Sequence, residues 1–352
     1  MAMAQKFSAT ILVAMVLMTT AGTSQAPTPY QTYRAVVEAY VKTGDVSRVV
    51  QPLQQWSGRE FDEAIKAAVA AKIPGELKAA AILHLEIGVA LVGVNASVAG
   101  GHVSYGNELL DRWTATQPRF SPSAVNDQKH FRGTWLAVAG SAFVAVKDSG
   151  RAKPLLNKAL AAQPRSARTQ TLLGTLKEFE ASQFNPEDAP TISQRERSRR
   201  ERMVRLTLAE HDYRDAIGFD ANYALAHIRL GRVLHLTGKP NEARASLDRG
   251  QTLASEPLPK YLSALFIGAL QQEAHDVPAA RRSFEQALVI APNSQPAVVA
   301  LAHLEVMAGR PDRANALARR LAAAAGAEPW WAFHNGGLDI AGLRWLREQA
   351  MR

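Results

Sequence analysis

The sequence predicts an all-α solenoid, a stack of helical hairpins, and three observations carry that expectation. The first is a period. Gly140 and Gly174 stand 34 residues apart, as do Ala280 and Ala314, and Phe284 and Ala318. Self-similarity at such a spacing marks an array of repeated supersecondary units. The second is composition: 47% of the 352 residues are hydrophobic but only 7% are aromatic, and a chain rich in Ala and Leu suits closely packed helices. The third is a recurring turn. Thr237-Gly238-Lys239-Pro240 and Ala308-Gly309-Arg310-Pro311 occupy the same repeat position; Gly ends one helix in a left-handed cap and Pro opens the next. A solenoid has no single central core, so length alone does not set the number of domains.

Taken in order, residues 1–26 read as an export signal. Lys6 supplies the positive region, Ile11 to Met18 the apolar run, and small residues follow to Ala26. The run is too short to span a bilayer, so cleavage is expected, after Ser24-Gln25-Ala26 or after Thr19-Thr20-Ala21. The expected product is exported, periplasmic or secreted, with no stable membrane span once the signal is removed. No Cys is present, which excludes disulfides, thiolate metal sites and a Cys nucleophile. The net charge of +9 is spread among acids, as on an ordinary solvated surface.

Residues 27–132 read as a helical segment with degenerate repeats. Tyr33, Val36, Val37, Tyr40 and Val41 follow helical spacing, with Gly44 as a stop and Asp45 as the next cap. A second helix is expected over Glu76–Val94, with Gly88 in a repeat-like place, and His102–Thr116 as its partner. Residues 133–328 carry the array, in units 133–166, 167–223, 224–257, 261–294 and 295–328. In the clearest unit Gly268 is followed by Ala280, Phe284, Ala287 and Pro292. Its neighbours offer Gly140, Ala152, Leu156, Ala159 and Pro164; Gly231, Ala243, Leu247 and Gly250; and Ala302, Ala314, Ala318 and Leu321. Small residues at these places let helices approach, and the large ones fill the gap. Gly174 and Gly231 are 57 residues apart, 23 more than the period, so the second unit holds an insertion near 182–201. Trp330, Trp331, Phe333 and Trp345 cluster in 329–352, read as an aromatic cap over the open end, with Asp339 capping a final helix.

This arrangement of Gly, a small residue, an aromatic, Ala and Pro resembles the tetratricopeptide repeat (TPR) family, strongly over 133–328 and weakly before it. The resemblance implies a right-handed TPR-type α-solenoid with a C-terminal capping helix, and a bacterial setting. It also implies a concave groove lined by first-helix positions. Here these are Arg168, Thr175 and Glu178, then Arg232 and His235, then Gln272 and Glu273, then His303. Arg232 leads, because a groove Arg takes a carboxylate or carbonyl in a charge-assisted bond.

Candidate chemistry is sparse. Gly238-Lys239 lacks Walker spacing, and Pro240 stands where Ser or Thr is needed. His227 and His235 lie eight apart, too far for one metal ion, and no Gly-x-Ser-x-Gly elbow occurs. No cofactor, no metal and no enzymatic activity are expected. The local oddity is the insertion, where Arg195, Arg197, Arg199, Arg200, Arg202 and Arg205 fall within eleven residues. It reads either as a grip for an acidic partner or lipid headgroups or as a solvated helix extension. The expected function is non-catalytic binding of a protein or peptide, as a scaffold or adaptor of the cell envelope, and export argues against nucleic acid. A structural or assembly role through the convex face or ends is the alternative. An enzyme or carbohydrate-processing accessory protein comes after it.

Overall fold

A computed structural model describes residues 28–43, 58–71, 74–93, 95–117, 122–292, 294–323 and 339–350. The expected signal, the Gly44-Asp45 boundary and Trp330, Trp331 and Phe333 lie outside the described residues. Fifteen helices and one short 3-10 turn are found, with no strand among the described residues.

The chain divides into two units at Ala71. The first contains α1 (Pro29–Thr43) and α2 (Gly58–Ala71), which pack on one another. Tyr33, Val36 and Val37 of α1 and Ala64, Ile65 and Ala68 of α2 are buried.

The second unit is a run of antiparallel hairpins. α3 (Pro74–Leu91) pairs with α4 (Ala96–Thr116), and α5 (Pro122–Ala145) with α6 (Ser149–Ala162). α7 (Ala167–Ser182) pairs with α8 (Ile192–Phe219), and α9 (Ala224–Leu236) with α10 (Pro240–Leu253). α11 (Pro257–Glu273) pairs with α12 (Val277–Ile290), and α13 (Gln295–Met307) with α14 (Pro311–Ala323). Successive first helices, α3 through α13, touch one another, and each second helix from α4 to α12 also contacts the following first helix. The first helices thus run side by side as one layer, the inner one of a TPR-type solenoid. This is an all-α solenoid of TPR type.

The repeating Gly is explained by what it faces. A Cβ added at Gly174 would come within 2.6 Å of the Tyr213 ring, and at Gly268 within 2.7 Å of Phe284. At Gly140 and Gly231 the obstacles are Leu156 and Leu247. In these four hairpins the first helix therefore lets a large apolar residue of its partner lie against bare backbone, one contact made four times.

The turns repeat as well. Gly238 and Gly309 have φ near 76° and 67°, and Lys147 and His275 hold the same place at 64° and 60°. In all four turns the next N–H donates back to a carbonyl five residues earlier: Lys239 to Leu234, Arg310 to Glu305, Asp148 to Phe143 and Asp276 to Gln271. These bonds satisfy carbonyls that the helix end leaves open.

The insertion takes a definite form. Residues 183–191 include the 3-10 turn Pro186–Asp188, and Thr191 then starts α8 with a capping box to Gln194. α8 has 28 residues against 14 in α10 and α12.

The final helix, α15 (Ile340–Ala350), is capped by Asp339, whose Oδ1 accepts from the Gly342 N–H at 2.9 Å. The sequence placed its lid over the open end of the array. Its principal contacts are instead with α5 and α3, because its charged and apolar partners stand there.

Candidate functional site

The inner layer brings together residues from α3, α5, α7, α9 and α11, with α15 lying across part of it. α15 is held at several points. Asp339 donates its backbone N–H to Ser141 Oγ at 2.9 Å, and its carboxylate pairs with Arg168 at 3.1 Å. Burial works against the Arg168 charge, but Asp339 and Tyr223 beside it together outweigh burial and raise its proton affinity. At the other end Arg347 grips Glu86 with two nitrogens, at 2.5 and 2.8 Å; the Glu86 side chain is 1% exposed. Leu343 and Leu346 are buried between these charges. Trp345 sets its ring edge-on against His130, with centroids 4.8 Å apart. Gly342 permits the close approach, since a Cβ there would fall 2.8 Å from Val138 of α5.

Beyond the N-terminus of α15 the inner face opens into a cavity of about 400 Å³ between the starts of α7, α9 and α11. Leu172, Leu225, Leu258 and Tyr223 give it apolar walls. Arg168, Arg229, Asp339 and Arg344 place charge among them.

The groove candidates named from sequence have distinct places. Arg168 is committed to Asp339. Thr175 is buried, donates to Thr171 O at 2.9 Å and has its hydroxyl 3.2 Å from that of Tyr213. Glu178, with 4% side-chain exposure, accepts from Tyr213 and pairs with Arg232 at 2.9 Å and Arg229 at 3.8 Å. Arg232 also lies over the Phe266 ring, 5.0 Å from its centroid. His235 pairs with Glu273, Gln272 is half-buried and His303 is exposed. The polar residues of α7, α9 and α11 thus engage one another, and Arg232 already has the carboxylate that the sequence assigned to a ligand.

In the basic stretch, Arg195 donates to Ala189 O at 3.0 Å, and Arg205 reaches Glu180 and Glu201 and covers Phe184. Arg202 is half-buried, and Arg197, Arg199 and Arg200 are exposed. On the same helix Met203, Val204 and Leu208 are also exposed.

Sequence inspection did not single out Glu86, Ser141, Arg229 or Arg347. Glu86 carried one usable signal, a carboxylate on a helix otherwise apolar nearly all round. Arg347 carried none, since its partner is 261 residues away.

Known proteins add limited context. No family model matches the chain, and no curated protein sequence matches it. Among solved structures, the chain is similar to PilF of Pseudomonas aeruginosa (18% identity, TM-score 0.44, 64% of this chain and 88% of that one). It is also similar to a thermophilic TPR protein of Thermus thermophilus (21%, 0.40, 63% and 97%) and to the APC/C hetero-tetramer Cut9–Hcn1 (12%, 0.48, 91% and 54%). The hairpin array is established by its own packing. Among the described residues no helix is long and apolar enough to cross a membrane.

Proposed function

We propose that the chain is a non-catalytic scaffold that holds a protein or peptide on the inner face of its helical array. The observation that carries this is the cavity of about 400 Å³ at the starts of α7, α9 and α11. It is concave, mostly apolar and edged with a few charged groups, the make-up of a pre-formed recognition site. A peptide could place a bulky side chain there and set its backbone against the helix starts. The N-terminal sequence pattern supports a setting outside the cytoplasm, in a bacterial envelope or beyond it, and that setting favours a protein partner over nucleic acid.

The test is capture from an envelope extract by residues 27–352, beside Leu225→Trp, which fills the cavity, and Arg232→Ala. A partner kept by the parent chain and lost with Leu225→Trp supports the inner face. A partner held equally by all three chains refutes it. A second reading, assembly through the outer surface, is favoured by the exposed Arg197, Arg199 and Arg200 beside Met203, Val204 and Leu208. In that case Arg197→Glu with Arg200→Glu abolishes capture, and raised salt does the same.

A further inference from the structure

We infer that the inner face over α3, α5 and α7 is a binding site for a short amphipathic helix with an acidic N-cap and an Arg on its docking face, and that α15 occupies it in cis, so that a partner supplies a helix of the same chemistry and displaces it. This rests on the inner-face reading and names the chemistry of the partner.

The site is built for such a helix. Glu86 lies almost fully buried and presents both oxygens to one guanidinium. A bidentate pair of this kind selects Arg over Lys. Eight residues before that Arg in the chain, Arg168 and Ser141 meet a carboxylate and an N–H, both of which Asp339 provides. Between them the face accepts two leucines and the edge of an aromatic ring, at Leu343, Leu346 and Trp345. The recognised pattern is therefore an acidic cap, Leu four residues on, an aromatic and Leu at six and seven, and Arg at eight. The partner is a protein segment with that spacing.

α15 is held by a small buried set. Gly342, Leu343 and Leu346 are its buried residues, as many as α6 and α10 bury, where the first helices α7 and α11 bury eleven and nine. Its other contacts include ion pairs of partly exposed Arg side chains, Arg347 to Glu86, Arg168 to Asp339 and Arg344 to Glu256, with the Asp339 N–H on Ser141 and the Trp345 ring against His130 and Phe131. α15 gains from being joined to its own site, because tethering replaces a bimolecular step by an intramolecular one. A separate partner helix must match more contacts or arrive when the tether is not competing.

The experiment uses the whole chain with a protease site placed within residues 324–338. After cleavage, a labelled synthetic peptide of residues 339–352 is added and binding followed by fluorescence anisotropy. The expected result is exchange into the cut chain, with binding to the uncut chain at least about 100-fold weaker. Peptides carrying Leu346→Asp or Arg347→Ala are expected to bind at least ~10-fold more weakly, and they leave the host's folding untouched. The inference is overturned if the cut chain keeps its own α15 without exchange, if both peptide variants bind like the parent, or if uncut chains pair by swapping α15. A peptide that exchanges while extract capture finds nothing leaves this site standing and removes the outside partner. A captured partner that ignores added peptide does the opposite.

Discussion

Glu178 is where the polar chemistry of the inner layer converges. Its carboxylate serves Tyr213 of α8 and Arg229 and Arg232 of α9, and it and Arg229 are nearly inaccessible to solvent. Removing one partner of such a buried set is costly, because the desolvated charge opposite loses its counterion. Glu178→Ala should lower unfolding stability by about 3–5 kcal/mol in urea titration; a loss under about 1 kcal/mol would show that water reaches the cluster. Position pattern alone marked Glu178 and Arg232 as inner-face residues. That they pair with each other was not legible, since repeat positions say which face a side chain occupies and not which neighbour it meets across helices. A second residue-scale case is His84 with His102, whose rings stack between α3 and α4 with Nδ1 atoms 3.1 Å apart. Burial, and for His84 also its neighbour His102, holds His84 well below its usual range, and burial lowers His102 to about 4. Above the unfolded value of about 6.5 both states carry neutral rings. As pH falls from there towards 4, the unfolded chain binds protons that the folded pair refuses, so stability declines through that window. Calorimetry from about pH 7 to about pH 4.5 should show a falling Tm, and a shallower fall in His102→Leu; parallel profiles would remove the pair as the cause.

At the scale of elements, the turns show both what the repeat specifies and what it tolerates. Gly238 and Gly309 were readable as left-handed stops because Pro follows at Pro240 and Pro311. Lys147 and His275 adopt the same backbone without the signal. The carbonyls they help to satisfy outweigh the cost of a Cβ at positive φ, which is about 1–2 kcal/mol. His275→Gly should therefore raise stability by about 0.5–1 kcal/mol after the added freedom of the unfolded chain is counted, measured by thermal unfolding; a loss would mean that the His275 side chain makes a compensating contact. α15 was legible as a helix from Asp339 as its cap. Its resting place was not. Docking depends on Glu86 of α3 and Ser141 of α5, which belong to no repeat pattern, beside Arg168 of α7, which the repeat frame places in the groove.

At the scale of the molecule, a hairpin array takes its stability from contacts between neighbours. α9 touches α7, α8, α10 and α11, so damage there should divide the array. A Cβ at Gly231 would lie 2.6 Å from Leu247 and 3.0 Å from the Ala243 carbonyl, the latter backbone that cannot swing aside. Gly231→Val is expected to split one unfolding transition into two, with faster amide exchange in α9 and α10 than in α3 to α6. Uniform exchange along the array would show that it unfolds as one body.

The pair between Arg347 and Glu86 has a consequence for how the chain is made. Hairpins draw on residues close in sequence and can form as each pair of helices emerges. The Glu86 pair spans 261 residues, and vectorial synthesis runs from the N-terminus. Whether it leaves a ribosome or a translocation channel, the chain emerges from its N-terminus, so α3 to α6 can form their hairpins before Arg347 reaches them, and their inner face stays uncovered until it does. Arrival of residues 339–350 closes that interval, so the rate at which the chain emerges sets how long this face can be met from outside.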